Sequence, residues 1–127
     1  MGFARSKRII IHGTPTAPTC FDINFAEEGV PEDTADIPLH FSPNFAQKKV
    51  IRDTWIRGTG WTRKETSRDF PFKVGQPFEL EFRAEQIAIR ALVDGNSFEL
   101  LYGYNMSKIT QLEIKGAIDV RSVVLCK

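Results

Sequence analysis

The sequence predicts an all-β domain, a β-sandwich of two antiparallel sheets. Three observations predict it. Apolar residues alternate with polar ones along short segments, which is the mark of half-buried strands. Turn residues punctuate those segments at regular intervals. No stretch longer than about ten residues keeps apolar positions at helical spacing. Ten phenylalanines among the 127 residues supply bulk for the core of one domain.

The elements follow in chain order. Residues 8–12 carry Ile9-Ile10-Ile11 and end at the turn His12-Gly13-Thr14-Pro15. In 20–25, Phe21, Ile23 and Phe25 face one way while Cys20, Asp22 and Asn24 face the other. Glu28-Gly29-Val30-Pro31 marks the next turn. Over 37–45, Leu39 and Phe41 alternate with His40, Ser42 and Asn44. Segment 49–56 contains Trp55, read as packing. After Val74-Gly75-Gln76-Pro77 come 78–82 and 87–93, and Asp94-Gly95 joins the latter to 97–102 as a hairpin. Segments 111–115 and 117–125 complete the set. Phe70, Phe72, Phe78 and Phe82 read as core, each contributing about 1.5–3 kcal/mol on burial. His12 reads as a strand-edge residue rather than a ligand.

Composition narrows the function classes. The chain is 42% hydrophobic and 26% charged with a formal net charge of +1, which gives no electrostatic footprint for nucleic acid. Cys20 and Cys126 lack metal or framework spacing and read as free, buried or semi-buried structural thiols. Ile9-Ile10-Ile11 is too short for a signal peptide or a membrane span. Gly2 and Ser6 match the loose myristoylation pattern, set against a frayed end over residues 1–7.

The search for catalysis is negative. His12 and His40 lie on separate segments, with no zinc-protease or nucleophile-elbow spacing and no phosphate-binding glycine loop. The chain reads as a non-enzyme without cofactor or metal. The informative stretch is 40–66. His40, Ser42 and Asn44 stand at i, i+2 and i+4, so one strand face carries three hydrogen-bonding side chains. Asp53 lies on the next strand; beyond Gly58-Thr59-Gly60 come Trp61 on a loop, Lys64 and Thr66. Sugar hydroxyls need convergent donors and acceptors, and a pyranose face needs a flat ring. The same residues also fit an exposed polar sheet face beside a core tryptophan.

The motifs resemble those of galectins. Leu39-His40-Phe41-Ser42-Pro43-Asn44-Phe45 is similar to the family's H-x-N-P-R, Ile51-Arg52-Asp53 to V-x-N, and 61–66 to W-G-x-E-x-R. The register then runs without gaps into Phe70-Pro71-Phe72-Lys73-Val74-Gly75-Gln76-Pro77-Phe78-Glu79-Leu80, similar to F-P-F-x-x-G-x-P-F-E-L. The resemblance covers about residues 8–125. It implies a jelly roll that binds sugar across one sheet, acting in the cytoplasm or outside the cell without a signal peptide. The stretch before Ile9 is short for the family, as in one half of a tandem-repeat protein.

The departures are concentrated in the sugar motif. His40 and Trp61 match it, whereas Ser42, Asn44, Asp53, Lys64 and Thr66 replace asparagine, arginine, asparagine, glutamate and arginine. The charged network that reads galactose is lost as a unit, which avoids stranding a single buried charge. The resemblance implies Trp61 stacking on a sugar, with His40, Ser42, Asn44, Asp53 and Thr66 around it and Lys64, Arg52 or Arg63 reaching a second sugar or anionic group. Residues 44–73 carry eight basic and three acidic side chains, a local +5 that fits either a solvated loop face or a groove tuned to anionic glycans. The expected partners are glycans, either β-galactosides or modified ones, with no nucleic acid and no membrane insertion. A homodimer is an admissible assembly. The alternative is a protein-interaction module that keeps the fold, has lost sugar binding and pairs through a sheet edge.

Overall fold

The computed structural model describes residues 7–67 and 69–126. Gly2, Ser6 and Arg68 lie outside the described residues, as does most of the amino-terminal stretch expected to fray. The described residues form β1 (Arg8–Pro15), β2 (Phe21–Ala26), β3 (Ile37–Asn44), β4 (Lys49–Ile56), β5 (Gly60–Trp61), β6 (Glu65–Thr66), β7 (Phe78–Ala84), β8 (Ala88–Val93), β9 (Asn96–Tyr102), β10 (Gln111–Gly116) and β11 (Ile118–Cys126). None of the described residues is helical.

The strands build two antiparallel sheets. One has five strands in the order β11-β1-β7-β8-β9; the other runs β10-β2-β3-β4-β5, with β6 also paired to β4. Period-2 alternation puts Ile11, Leu80 and Phe82 of the first sheet against Phe21, Ile23, Phe25, Leu39 and Phe41 of the second, all of them buried. The aromatic rings interlock rather than merely fill space. Phe82 meets Phe25 and Phe41 edge-on, both at 5.0 Å between centroids, while Phe21 stacks on Phe78 at 5.7 Å. Phe70 packs at the rim and is only partly buried. Asp94 and Gly95 both take positive φ, 52° and 83°, which is the hairpin geometry their sequence predicts.

Three local expectations need correction. His12 is not at a strand edge, because β1 lies between β11 and β7. Its Nδ1 lies 3.0 Å from Ser122 Oγ and its Nε2 3.0 Å from Glu79 Oε1, so it ties three strands together. Cys20 is exposed rather than buried, since it shares the outward parity of Asp22 and Asn24; Cys126 is half-buried, and both thiols are free. Trp61 does not sit on a loop but in β5, directly opposite Trp55. The two-residue strands β5 and β6 were invisible as patterns, because two residues hold no period.

Candidate functional site

The ladder decides which side chains meet. On β3, His40 lies opposite Asn24 of β2 on one side and Asp53 of β4 on the other. Ser42 lies opposite Ile51, and Ile51 opposite Thr66. Directly paired residues project to the same face, so these side chains share the outer face of the six-stranded sheet. Phe41 pairs with Arg52, and Arg52 with Glu65, so that row points to the opposite face, where Phe41 and Arg52 are buried and Glu65 reaches Arg63.

Trp61 stands over the outer face and is 43% exposed. Its ring lies 4.6 Å from the His40 ring at 51°. Together with Asp22, Glu32, Ile51, Asp53 and Lys64 the two rings line an open cavity of ≈ 340 Å³. A larger hollow of ≈ 480 Å³ lies on the outer face of the other sheet around His12 and Ser122, but Phe78 there is buried and no exposed Trp, Tyr or Phe lines it. The smaller cavity has the composition of a ligand site.

Its polar groups are held by a relay. Asn24, 1% exposed, donates from Nδ2 to Glu113 Oε1 at 2.8 Å. A carboxylate only accepts, so this bond orients the amide with Oδ1 toward His40. His40 Nδ1–H then donates to that oxygen at 2.6 Å, which leaves Nε2 as an acceptor. Burial lowers the His40 pKa below 6.5, against the opposing pull of Asp22, Asp53 and Glu32. Burial thus favours the neutral ring. Ser42 donates to Asp22 Oδ1 at 2.7 Å, and Asp53 Oδ1 accepts from the backbone N–H of Thr54 and of Arg63 at 2.7 and 2.8 Å.

The structure thus brings together His40, Asp53, Trp61 and Lys64, with Ser42 bracing the floor. Thr66 is exposed on the same face but does not line the cavity. Asn44 lies at the far end of β3, where its side chain accepts Gln47 N–H at 3.0 Å and holds the turn. Arg52 is not in the groove. It is 9% exposed, points coreward, and its best contact is Nη2 to Thr66 O at 3.5 Å, with Nε unpartnered.

Arg63 forms a clamp. Its Nη1 and Nη2 donate to the carbonyls of Gly103 and Tyr102, each at 2.7 Å. The guanidinium lies 4.3 Å over the Tyr104 ring, and Nε lies 3.4 Å from Glu65 Oε1. Tyr104 donates to the same Glu65 oxygen at 2.6 Å; that bond pulls the Glu65 pKa down, while burial pushes the Tyr104 hydroxyl up. The clamp fastens the segment that carries Trp61 and Lys64 to the end of β9.

The basic excess of 44–73 does not become a basic groove. Arg52 is buried, Arg63 is committed, and Arg57 is not among the lining residues; among the described residues the cations at the three carboxylates are Lys64 in the lining and Lys115, 3.5 Å from Glu32. Asp22, Asn24, Glu32 and Glu113 were missed as site residues. The first two were visible as an outward polar row, but only the order β10-β2-β3-β4 puts that row and Glu113 beside His40. Among the described residues no group of three or more His, Cys, Asp or Glu is placed to hold a metal ion.

Comparisons agree with this geometry. The chain matches the family described as "Galactoside-binding lectin" over residues 1–125. It is 30% identical over 124 residues to the 32 kDa beta-galactoside-binding lectin of Haemonchus contortus, covering 96% of this chain and 42% of that protein. It is 33% identical over 92 residues to human Galectin-4, covering 70% of this chain and 28% of that one. The chain thus spans less than half the length of these relatives. The crystal structure of Caenorhabditis elegans galectin LEC-6 superposes with a TM-score of 0.85 at 26% identity, covering 100% of this chain and 86% of that one. Fold and sequence converge on lectins rather than enzymes, and the chain belongs to the galactoside-binding lectin family, the galectins.

Proposed function

We propose that this chain is a glycan-binding lectin whose ligand rests on Trp61, with β-galactoside recognition altered or weakened relative to its family. The observation that carries the proposal is the exposed Trp61 indole beside the relay-held His40 at the cavity. An indole face gives a sugar ring apolar area at little entropic cost. Around it, Asp53 and Lys64 contact hydroxyls and Ser42 holds Asp22 in place. Asn44, Arg52, Arg63 and Thr66 act at a distance or not at all. Sulfated and sialylated glycans, suggested by the charge of 44–73, find little support in a lining of three carboxylates and one ammonium. Action in the cytoplasm and outside the cell, and homodimer formation, belong to this proposal through family membership alone.

A glycan array read beside a Trp61→Ala control tests the proposal. The expected result is binding to neutral galactosides that the substitution abolishes. Binding unchanged in Trp61→Ala places the site elsewhere.

One observation favours the second reading, a protein-interaction module. Asp53, Ser42 and Arg63 spend hydrogen bonds on the protein itself, and β11 at a sheet edge exposes Val123, Val124 and Leu125. An array without any binder, together with concentration-dependent self-association, supports that reading instead.

A further inference from the structure

The groove is built almost entirely of acceptors. Asp22 and Asp53 each commit one oxygen, Oδ1, to protein donors, and their second oxygens have no donor among the described residues. Asp53 is 6% exposed, so its carboxylate is held within the cavity wall rather than waving in solvent. Glu32 adds a third carboxylate, with one oxygen 3.5 Å from Lys115 Nζ. His40 is fixed by Asn24 in the tautomer that leaves Nε2 accepting. Against these stand the Lys64 ammonium and Lys115, which already pairs with Glu32. Lys64 is exposed and makes no ion pair within 4 Å among the described residues, so it is free to swing aside.

A neutral sugar hydroxyl can satisfy one such acceptor at a time. An ammonium brings three donors and a charge that the carboxylates stabilise. It also meets the face of Trp61, where the ring quadrupole attracts a cation. A sulfate or a sialic carboxylate brings only acceptors and a like charge, and the arginines that would receive it are turned away.

We infer that the groove selects glycans bearing a protonated amine, such as non-acetylated amino sugars, over their acidic counterparts. This rests on the lectin reading, and it reverses the preference that the local basic count suggested.

The test is calorimetry with three probes on one disaccharide frame. These are lactosamine with its free amine, N-acetyllactosamine, and 3′-sulfated lactose, at a pH where the amine is charged. The expected ranking is amine, then neutral, then sulfate, with the amine ahead of the neutral probe by roughly three- to tenfold. The gap shrinks in about 0.5 M salt through screening. It also shrinks in Asp53→Asn, which keeps an acceptor for the Arg63 N–H, and in Glu32→Gln, which keeps an acceptor for Lys115. Sulfate binding as tightly as amine, or an amine with no advantage over the acetylated probe, overturns the inference while leaving the lectin reading intact. No binding of any probe, with tryptophan fluorescence unmoved, overturns both.

Discussion

The carboxylate of Asp53 accepts the backbone N–H of Arg63 at 2.8 Å, tying β4 to the segment that carries Trp61 and Lys64. The same oxygen accepts Thr54 N–H at 2.7 Å, so one side chain settles two backbone donors. Asp53→Ala leaves both without that acceptor and is expected to destabilise the fold by about 1–3 kcal/mol. Asp53→Asn costs less, because its amide oxygen still accepts. Urea unfolding of the two variants checks the ranking, and equal loss contradicts it.

The Arg63 clamp makes a second expectation. Arg63→Lys keeps the charge but loses the planar fork that reaches the Tyr102 and Gly103 carbonyls together, so a loss of about 1–2 kcal/mol follows. Gly103 has φ 78°, and a Cβ there lies 3.0 Å from both terminal nitrogens of Arg63. Gly103→Ala therefore strains the backbone and pushes on the clamp. A double-mutant cycle should show Gly103→Ala costing less in an Arg63→Ala background. Strict additivity contradicts the contact.

His40 supplies a pH dependence. Its pKa is lowered by burial below the usual 6.5. As pH falls, the unfolded chain takes up the proton first. The stability owed to neutral His40 is therefore present above pH 6.5 and is lost as pH drops through the window below it. An NMR titration of the His40 ring should give a midpoint under 6.5; one above it contradicts the burial argument.

Lactose itself should bind weakly, above about 1 mM, because the family's charged contacts are absent and charge-assisted hydrogen bonds are worth about 1.5–3 kcal/mol each. Calorimetry giving micromolar affinity contradicts this, and means that Asp22, Asp53 and Lys64 rebuild the contacts.

The fold was legible because alternation survives in a single strand. Phe21, Ile23 and Phe25 announce both the strand and its buried face, whatever the strand pairs with. The groove was legible only where one strand or one motif contained it, as for His40 and Trp61. Asp22 and Glu113 required the strand order, which is a long-range fact that no local pattern carries. Arg52 failed for the opposite reason: parity along β4, read from its neighbour Asp53, already turns it away from the groove. Arg63 shows the limit of counting charge, since a guanidinium held by two carbonyls and paired with Glu65 is not free to turn toward a ligand in the groove.

The chain has two tryptophans, cross-strand partners that line different hollows. Trp61 stands at the groove, whereas Trp55 is half-buried and lines a different hollow beside Thr54 and Ile56. Following both indole N–H resonances by NMR during titration with a neutral galactoside tests the central claim most directly. The account predicts that the Trp61 signal shifts with saturable dose dependence while the Trp55 signal stays in place. Saturable binding that moves Trp55 and leaves Trp61 unchanged contradicts it.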